Sequence, residues 1–223
     1  ARAKQRRFFR KPVQPNIVVL ENVTFTESEM QDVAALVGKD LFAHELRETL
    51  RQFEHAKNFG SLIVPKLHDP AEALRMLQSW DFGDDLLLKE LQTRVMAVLR
   101  MAEVLSSKFH VVVANPPYAG SSGLNSKLQN FAKSQFPKSK SDLFAMFMER
   151  AIALVKPRGS VGMITMQSWM FLSSYEALRE QFASSGAILT MAHLGERAFD
   201  SIGGAIVSTS AFVFGKSTHK DFE

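Results

Sequence analysis

The 223-residue sequence contains no cysteine. That excludes disulfides and thiolate-held zinc, and it agrees with a reducing, cytoplasmic setting. No apolar stretch approaches the roughly 20 residues of a membrane-spanning helix, and no signal-peptide pattern is present, so no membrane partner is expected. The six histidines (His44, His55, His68, His110, His193 and His219) lack any paired ligand spacing, and no metal site is expected. There is no internal repeat. The net charge of +4 is too small to argue for or against nucleic acid, so local distribution has to decide. The sequence also lacks a Gly-x-Gly loop between a strand and a helix. Neither Gly120-Ser121-Ser122-Gly123 nor Gly203-Gly204 has that context, and no acidic strand end is placed to hold a ribose.

Against these absences stands one dense local signal. The uncharged run Phe109-His110-Val111-Val112-Val113-Ala114, rich in β-branched residues, predicts a buried parallel strand. Asn115-Pro116-Pro117-Tyr118 follows directly, at the carboxyl end where open α/β sheets place ligands. Two successive prolines stiffen the loop and bias Asn115 away from helix. The Asn115 side-chain oxygen and the Pro116 carbonyl are acceptors, and proline brings no amide hydrogen to compete. Two convergent acceptors beside an aromatic face suit a planar ring that bears an exocyclic amino group. A tight turn with a packed tyrosine is the plain alternative, and the preceding strand weighs against it.

These four residues resemble the (D/N/S)-P-P-(Y/F/W) motif of amino-group methyltransferases, in the N-P-P-Y form of N6-adenine DNA methyltransferases. The sequence downstream agrees. Ser141-Asp142-Leu143-Phe144 opens a helical pattern, with Ser141 as expected N-cap, that Pro157 and Gly159 stop. Ser160–Met166 then reads as a second buried strand. Leu194-Gly195-Glu196-Arg197-Ala198-Phe199 leads through Gly203-Gly204 into a strand-like Ala205–Phe214, similar to the family's final hairpin. A more specific resemblance, carried by Asn16–Phe25 and by the acid-free segment after Tyr118, is to the adenine methyltransferases of BREX phage-defence systems, the PglX type.

The resemblance implies a doubly wound, Rossmann-like α/β methyltransferase fold, present in part, whose cofactor is S-adenosyl-L-methionine and whose partner is double-stranded DNA, alongside other defence-system proteins. It implies catalytic roles for Asn115, Pro116, Pro117 and Tyr118. It puts Tyr118 and Phe199 on the two faces of a target base flipped out of the helix. It assigns Asp142, Leu143 and Phe144 to the cofactor side. The main cofactor motif of such enzymes precedes the position matching Ala1, so the first strands of the sheet are expected elsewhere and the chain alone is expected to be inactive. Two other readings stay open: an NPPY enzyme acting on protein glutamine or RNA guanine, and a non-catalytic DNA-contact or assembly module.

Two basic concentrations complete the sequence. Arg2, Lys4, Arg6, Arg7, Arg10 and Lys11 surround Phe8 and Phe9, as at the solvated end of a helix. Ala119 to Ser141 holds no acidic residue, while Lys127, Lys133, Lys138 and Lys140 are spread among small polar residues. That composition predicts a mobile loop contacting DNA phosphates. Residues 1–25 read as a basic helix end and a first strand, 26–83 as a helical insertion opened by a Thr26/Glu29 capping box, and 84–223 as the catalytic half. A long helix at 84–107 is expected to pack before the NPPY strand.

Overall fold

The computed structural model describes residues 14–37, 40–195 and 208–217. Helices α1 (Glu27–Val37), α2 (Asp40–Gln52), α3 (Pro70–Gln78) and α4 (Leu86–Ser106) precede strand β1 (Phe109–Ala114). Helices α5 (Ser126–Gln135) and α6 (Leu143–Leu154) lead to β2 (Val155–Met166), and α7 (Glu176–Ser185) leads to β3 (Gly186–Gly195). Strand β4 (Thr209–Lys216) completes a sheet ordered β1-β2-β4-β3.

Local chemistry starts the helices where the sequence calls for it. Thr26 and Glu29 close the capping box, with Glu29 N–H donating to Thr26 Oγ1 at 3.2 Å and Thr26 N–H to Glu29 Oε2 at 2.7 Å. Asp69 accepts from Glu72 N–H at 2.8 Å, with Pro70 in the first turn, and Asp85 accepts from Leu88 N–H at 3.1 Å. Leu46, Leu50, Phe53, Ala73, Leu77, Val95, Val98 and Leu99 are fully buried together. Helix α4 therefore shares one core with the helices before it.

Residues 16–25 are not a strand. They run as an irregular strap across this helical core, with Leu20, Val23 and Phe25 packed against it and Ile17 and Val19 exposed. Val23 N–H donates to Phe53 O at 3.1 Å, and Lys57 N–H donates to the Asn22 side chain at 2.9 Å. Among the described residues no strand lies alongside them to pair with, and a lone strand cannot satisfy its backbone.

The second core lies between the sheet and helices α6 and α7. Phe144, Met148, Ile152, Leu178 and Phe182 pack on Val161, Met163, Phe212 and Phe214. Strand β1 runs parallel to β2, while β4 is antiparallel to both β2 and β3. The carboxyl ends of β1, β2 and β3 consequently share one rim. A Cβ on Gly159 would stand 2.6 Å from the His110 carbonyl, so only glycine lets β2 draw alongside β1 there. Helix α6 ends at Leu154, before Pro157 is reached, and Val155 is already extended.

The expected burial of β1 is not met. Val113 is 79% exposed and Val111 61%, because among the described residues β1 has one neighbouring strand and no helix covers its outward face. Alternation turns Val112 and Ala114 into the core and leaves Val111 and Val113 outside.

Arg150 joins the two cores. It sits on α6 at 3% exposure and donates to the carbonyls of Ser61 (2.9 Å), Ile63 (2.9 Å) and Leu105 (2.6 Å). Burial alone draws its pKa down to about 10. Below that value it remains a cation, held by three carbonyl dipoles.

Candidate active site

Asn115 stands where β1 ends, exposed at the rim; Pro116 is buried, Pro117 exposed and Tyr118 half-buried. A trough of about 400 Å³ runs from Val113, Ala114 and Asn115 across β2 and β4 to Thr190–Ala192 on β3. Its lining residues are mostly apolar, among them Val113, Ile164, Met191 and Val213, and Asn115 brings the amide to its end. That combination suits a flat, largely apolar ligand gripped at one polar edge.

The Tyr118 ring meets Phe144 edge to face, with centroids 6.1 Å apart and planes at 84°, and Phe144 in turn contacts Tyr175 at 5.8 Å. The Tyr118 hydroxyl is buried and has no hydrogen-bond partner among the described residues. Desolvation pushes its pKa up. Tyr175 is pushed up to about 12, by burial first and by the nearby Asp142 carboxylate second.

Asp142 organises the turn. Its Oδ1 accepts from Ala119 N–H at 3.1 Å and from Phe144 N–H at 3.2 Å. Asp142, rather than the expected Ser141, is thus the N-cap of α6. Leu143 N–H donates to Ala119 O at 3.0 Å, and Ser121 N–H to Ser141 O at 3.0 Å. The two chain segments therefore form a short ladder directly after Tyr118. Burial raises the pKa of Asp142, opposed by the N–H donors of Phe144, Ala119 and Leu143.

Of the residues assigned to the cofactor side, Phe144 is fully buried in the sheet core and Leu143 is half-buried against Phe136 and its neighbours. Asp142 Oδ1 is engaged as described. These three residues hold the NPPY loop in place. Phe199, Gly203-Gly204 and the basic residues 1–11 lie outside the described residues.

The acid-free segment after Tyr118 is a correction. It is not a bare loop: α5 buries Leu128 and Ala132, and Leu124 and Phe136 flank it in a core with Leu62 and Met146. Phe131 stacks on Phe59 at 4.2 Å and 10°, and Asn58 and Asn125 exchange side-chain hydrogen bonds. Composition misled because burial needs apolar residues at helical spacing, not carboxylates. Asn125 as an N-cap and apolar residues at 124, 128, 132 and 136 carried that signal. Lys127, Lys133, Lys138 and Lys140 all remain exposed on this folded element.

Sequence reasoning passed over Gln167 and His193. They follow or end β2 and β3 at the rim, and their side chains are hydrogen-bonded to each other. Gln167 N–H also donates to Ser208 O at 2.9 Å, so this pair secures the rim opposite Asn115. Among the described residues there is no cluster of metal-ligating side chains, and no helix is long and apolar enough to cross a membrane.

The NPPY turn thus stands at a strand end above a mixed α/β sheet. The profile of the Eco57I restriction-modification methylases matches residues 24–199, and the chain belongs to that family. It is 44% identical over 192 residues to the adenine-specific methyltransferase BrxX of Escherichia coli O9:H4 (strain HS), covering 84% of this chain and 16% of that protein. It is 37% identical over 233 residues to the adenine-specific methyltransferase PglX of Lacticaseibacillus casei (strain Zhang), covering 99% and 19% respectively. The chain thus spans less than a fifth of the curated relatives it matches. Among solved structures, a nuclease-deletion mutant of the Type ISP restriction-modification enzyme LlaGI with a DNA substrate mimic aligns with a TM-score of 0.42 at 16% identity, over 67% of this chain and 14% of that one. A putative class I S-adenosylmethionine-dependent methyltransferase from Listeria monocytogenes aligns with a TM-score of 0.41 at 14% identity, over 93% and 65%.

Proposed function

We propose that the protein carrying this chain is a cytoplasmic, site-specific DNA methyltransferase of a BREX-type phage-defence system, and that it methylates adenine at N6. The observation that carries this is Asn115 at the carboxyl end of β1, set in NPPY beside an apolar trough in a chain of the Eco57I methylase family. Two relatives named adenine-specific methyltransferases support the choice of acceptor.

Adenine's amino nitrogen is a poor nucleophile because its lone pair is delocalised into the ring. Asn115 Oδ1 and the Pro116 carbonyl accept its two hydrogens, which favours a pyramidal nitrogen with a localised pair. Tyr118 offers its ring to one face of the flipped base, and Phe199 takes the other. S-adenosyl-L-methionine supplies the methyl group. Holding the nitrogen in line supplies much of the rate, and no strong base is needed because the methylated ammonium loses its proton readily. The described residues fit the acceptor half of this reaction; Asp142, Leu143 and Phe144 contribute by fixing the turn, and the principal cofactor contacts come from sequence outside this chain. Lys127, Lys133, Lys138 and Lys140 face the DNA phosphates, and other defence proteins join the complex.

The test is methyl transfer from labelled S-adenosylmethionine by the full-length protein, followed by nucleoside analysis. Label in N6-methyladenine of duplex DNA is expected. Label in protein glutamine, in RNA guanine or nowhere, with cofactor bound, would overturn the reading.

A further inference from the structure

The four lysines after the NPPY turn are not equivalent. Lys133 and Lys140 line a single cavity of about 410 Å³ together with Ser121, Ser122, Gln129 and Ser141. Lys127 points elsewhere, its Nζ 3.0 Å from His55 Nε2, and Lys138 is not part of the lining. No salt bridge among the described residues engages Lys133 or Lys140. The nearest carboxylate along the chain is that of Asp142, which follows Ser141; its Oδ1 accepts from Ala119 N–H and Phe144 N–H, and Asp142 does not line the cavity. Two exposed lysines thus line, with three serines, one concave space that has no acidic residue in its lining.

The frame around that space is tied by hydrogen bonds. Gln129 Nε2 donates to the carbonyls of Ser121 (2.9 Å) and Leu124 (2.8 Å), which pins the turn to α5. Ser121 N–H donates to Ser141 O at 3.0 Å, and a bridge joins Gly120 to Asp142. Lys133 lies in the last turn of α5, where the carbonyl end of the helix favours a cation. Two residues separate Tyr118 from Ser121, so their Cα atoms stand within about 11 Å of each other by chain length.

From this geometry we infer that the cavity is a seat for one phosphodiester group of the strand that carries the target base, gripped by Lys133 and Lys140 and by the hydroxyls of Ser121 and Ser122. The chemistry asked for is a tetrahedral oxyanion: two ammonium groups as point charges and small donors on a fixed turn. Its closeness to Tyr118 along the chain points to a phosphate flanking the flipped nucleotide. The seat's task is positional, since a phosphate held there fixes where the sugar, and hence the base, enters the NPPY site. This inference rests on the proposed action on DNA and adds which phosphate is held and by what.

The test uses the full-length protein and a short duplex bearing the site it methylates, compared with duplexes in which one phosphate beside the target adenine is an uncharged methylphosphonate. Binding of the wild-type protein should fall for one flanking position. The double variant should flatten the slope of log affinity against log salt by about one, and each of Lys133→Gln and Lys140→Gln by no more than that, since the two lysines share one phosphate. The methylphosphonate penalty at that position should vanish in the double variant, while Lys127→Gln should keep it. An unchanged penalty in the double variant overturns the seat, as does a slope change near two that adds between the singles. If the double variant loses binding of inorganic phosphate alone but keeps the DNA penalty, the cavity is a small-anion site and not a strand contact. If wild-type protein methylates no adenine at all, the proposed function fails instead, and the two failures are read from separate measurements.

Discussion

The carboxylate of Asp142 accepts the amide hydrogen of Ala119 across 23 residues of sequence, 3.1 Å from oxygen to nitrogen. That one bond ties the residue following Tyr118 to the first turn of α6, and so couples the NPPY turn to the sheet's main covering helix.

Replacing Asp142 by Ala should therefore loosen the turn and uncap α6. A loss of about 2 kcal/mol is expected, the upper end for a lost N-cap, since a second N–H also loses its acceptor. Asp142→Asn keeps an acceptor oxygen without the buried charge and should cost far less. Urea melts of the two variants would show this, and equal losses would mean the charge itself matters.

The pKa of Asp142 is raised in the fold, chiefly by burial. A group raised on folding favours the native state fully below its unfolded pKa, and that contribution is lost as pH climbs from the ordinary aspartate value through the raised one. Wild type should lose a little stability relative to Asp142→Asn over that interval. Thermal melts of both proteins across mildly acidic pH would reveal the converging or diverging curves; a gap that does not change with pH removes the account.

Asn115→Ala removes one of two amino-group acceptors from an exposed position. Methyl transfer by the full-length protein should fall at least about 100-fold, the scale for losing one preorganised partner, and the melting temperature should stay near wild type. Near-normal adenine methylation would take this turn out of the chemistry.

Tyr118→Phe deletes a buried hydroxyl that has no partner among the described residues, so stability should hold or rise slightly. Tyr118→Ala loses the ring against Phe144 and the stacking platform, worth about 1–3 kcal/mol per base in binding. Affinity for duplexes with a mispaired target adenine should rank wild type and Phe together, well above Ala. A Phe variant as impaired as Ala would show that the hydroxyl, not the ring, makes the contact. Phe199 carries the same expectation for the opposite face.

Arg150→Met should cost about 3 kcal/mol or more, because the Ser61, Ile63 and Leu105 carbonyls each lose their donor inside the core. Arg150→Lys should fall between, since one ammonium cannot reach three carbonyls in the guanidinium's fixed fork. Hydrogen exchange would then show α6 and the turn at 60–63 opening more readily.

Some of this molecule is legible residue by residue. The capping box at Thr26, the cap at Asp69, the extent of α4 and the NPPY turn after β1 each depend on neighbours within a few positions, and the sequence by itself determined them; for α6 it placed the helix but missed the cap at Asp142 and the end at Leu154. The order of strand, helix and strand from 109 to 166 is of the same kind, because hydrophobic period and stop signals are local.

What lies across from a face is not local, and only the tertiary structure decided it. The residues around 124–136 show a helical apolar spacing, yet their burial depends on Phe59 and Leu62 arriving from the helical segment. The run at 109–114 has the composition of a covered strand, but exposure depends on which surfaces stand beside it. Asp142 reads as one acid at a helix start; its hold on Ala119 exists because the chain folds back and brings the two together. Lys133 and Lys140 are seven residues apart and become a pair only when α5 and the turn at 121–124 close a cavity between them. Local sequence sets which side chains share a face. Free energy from burial, and from charges brought within reach of each other, is settled by partners distant along the chain.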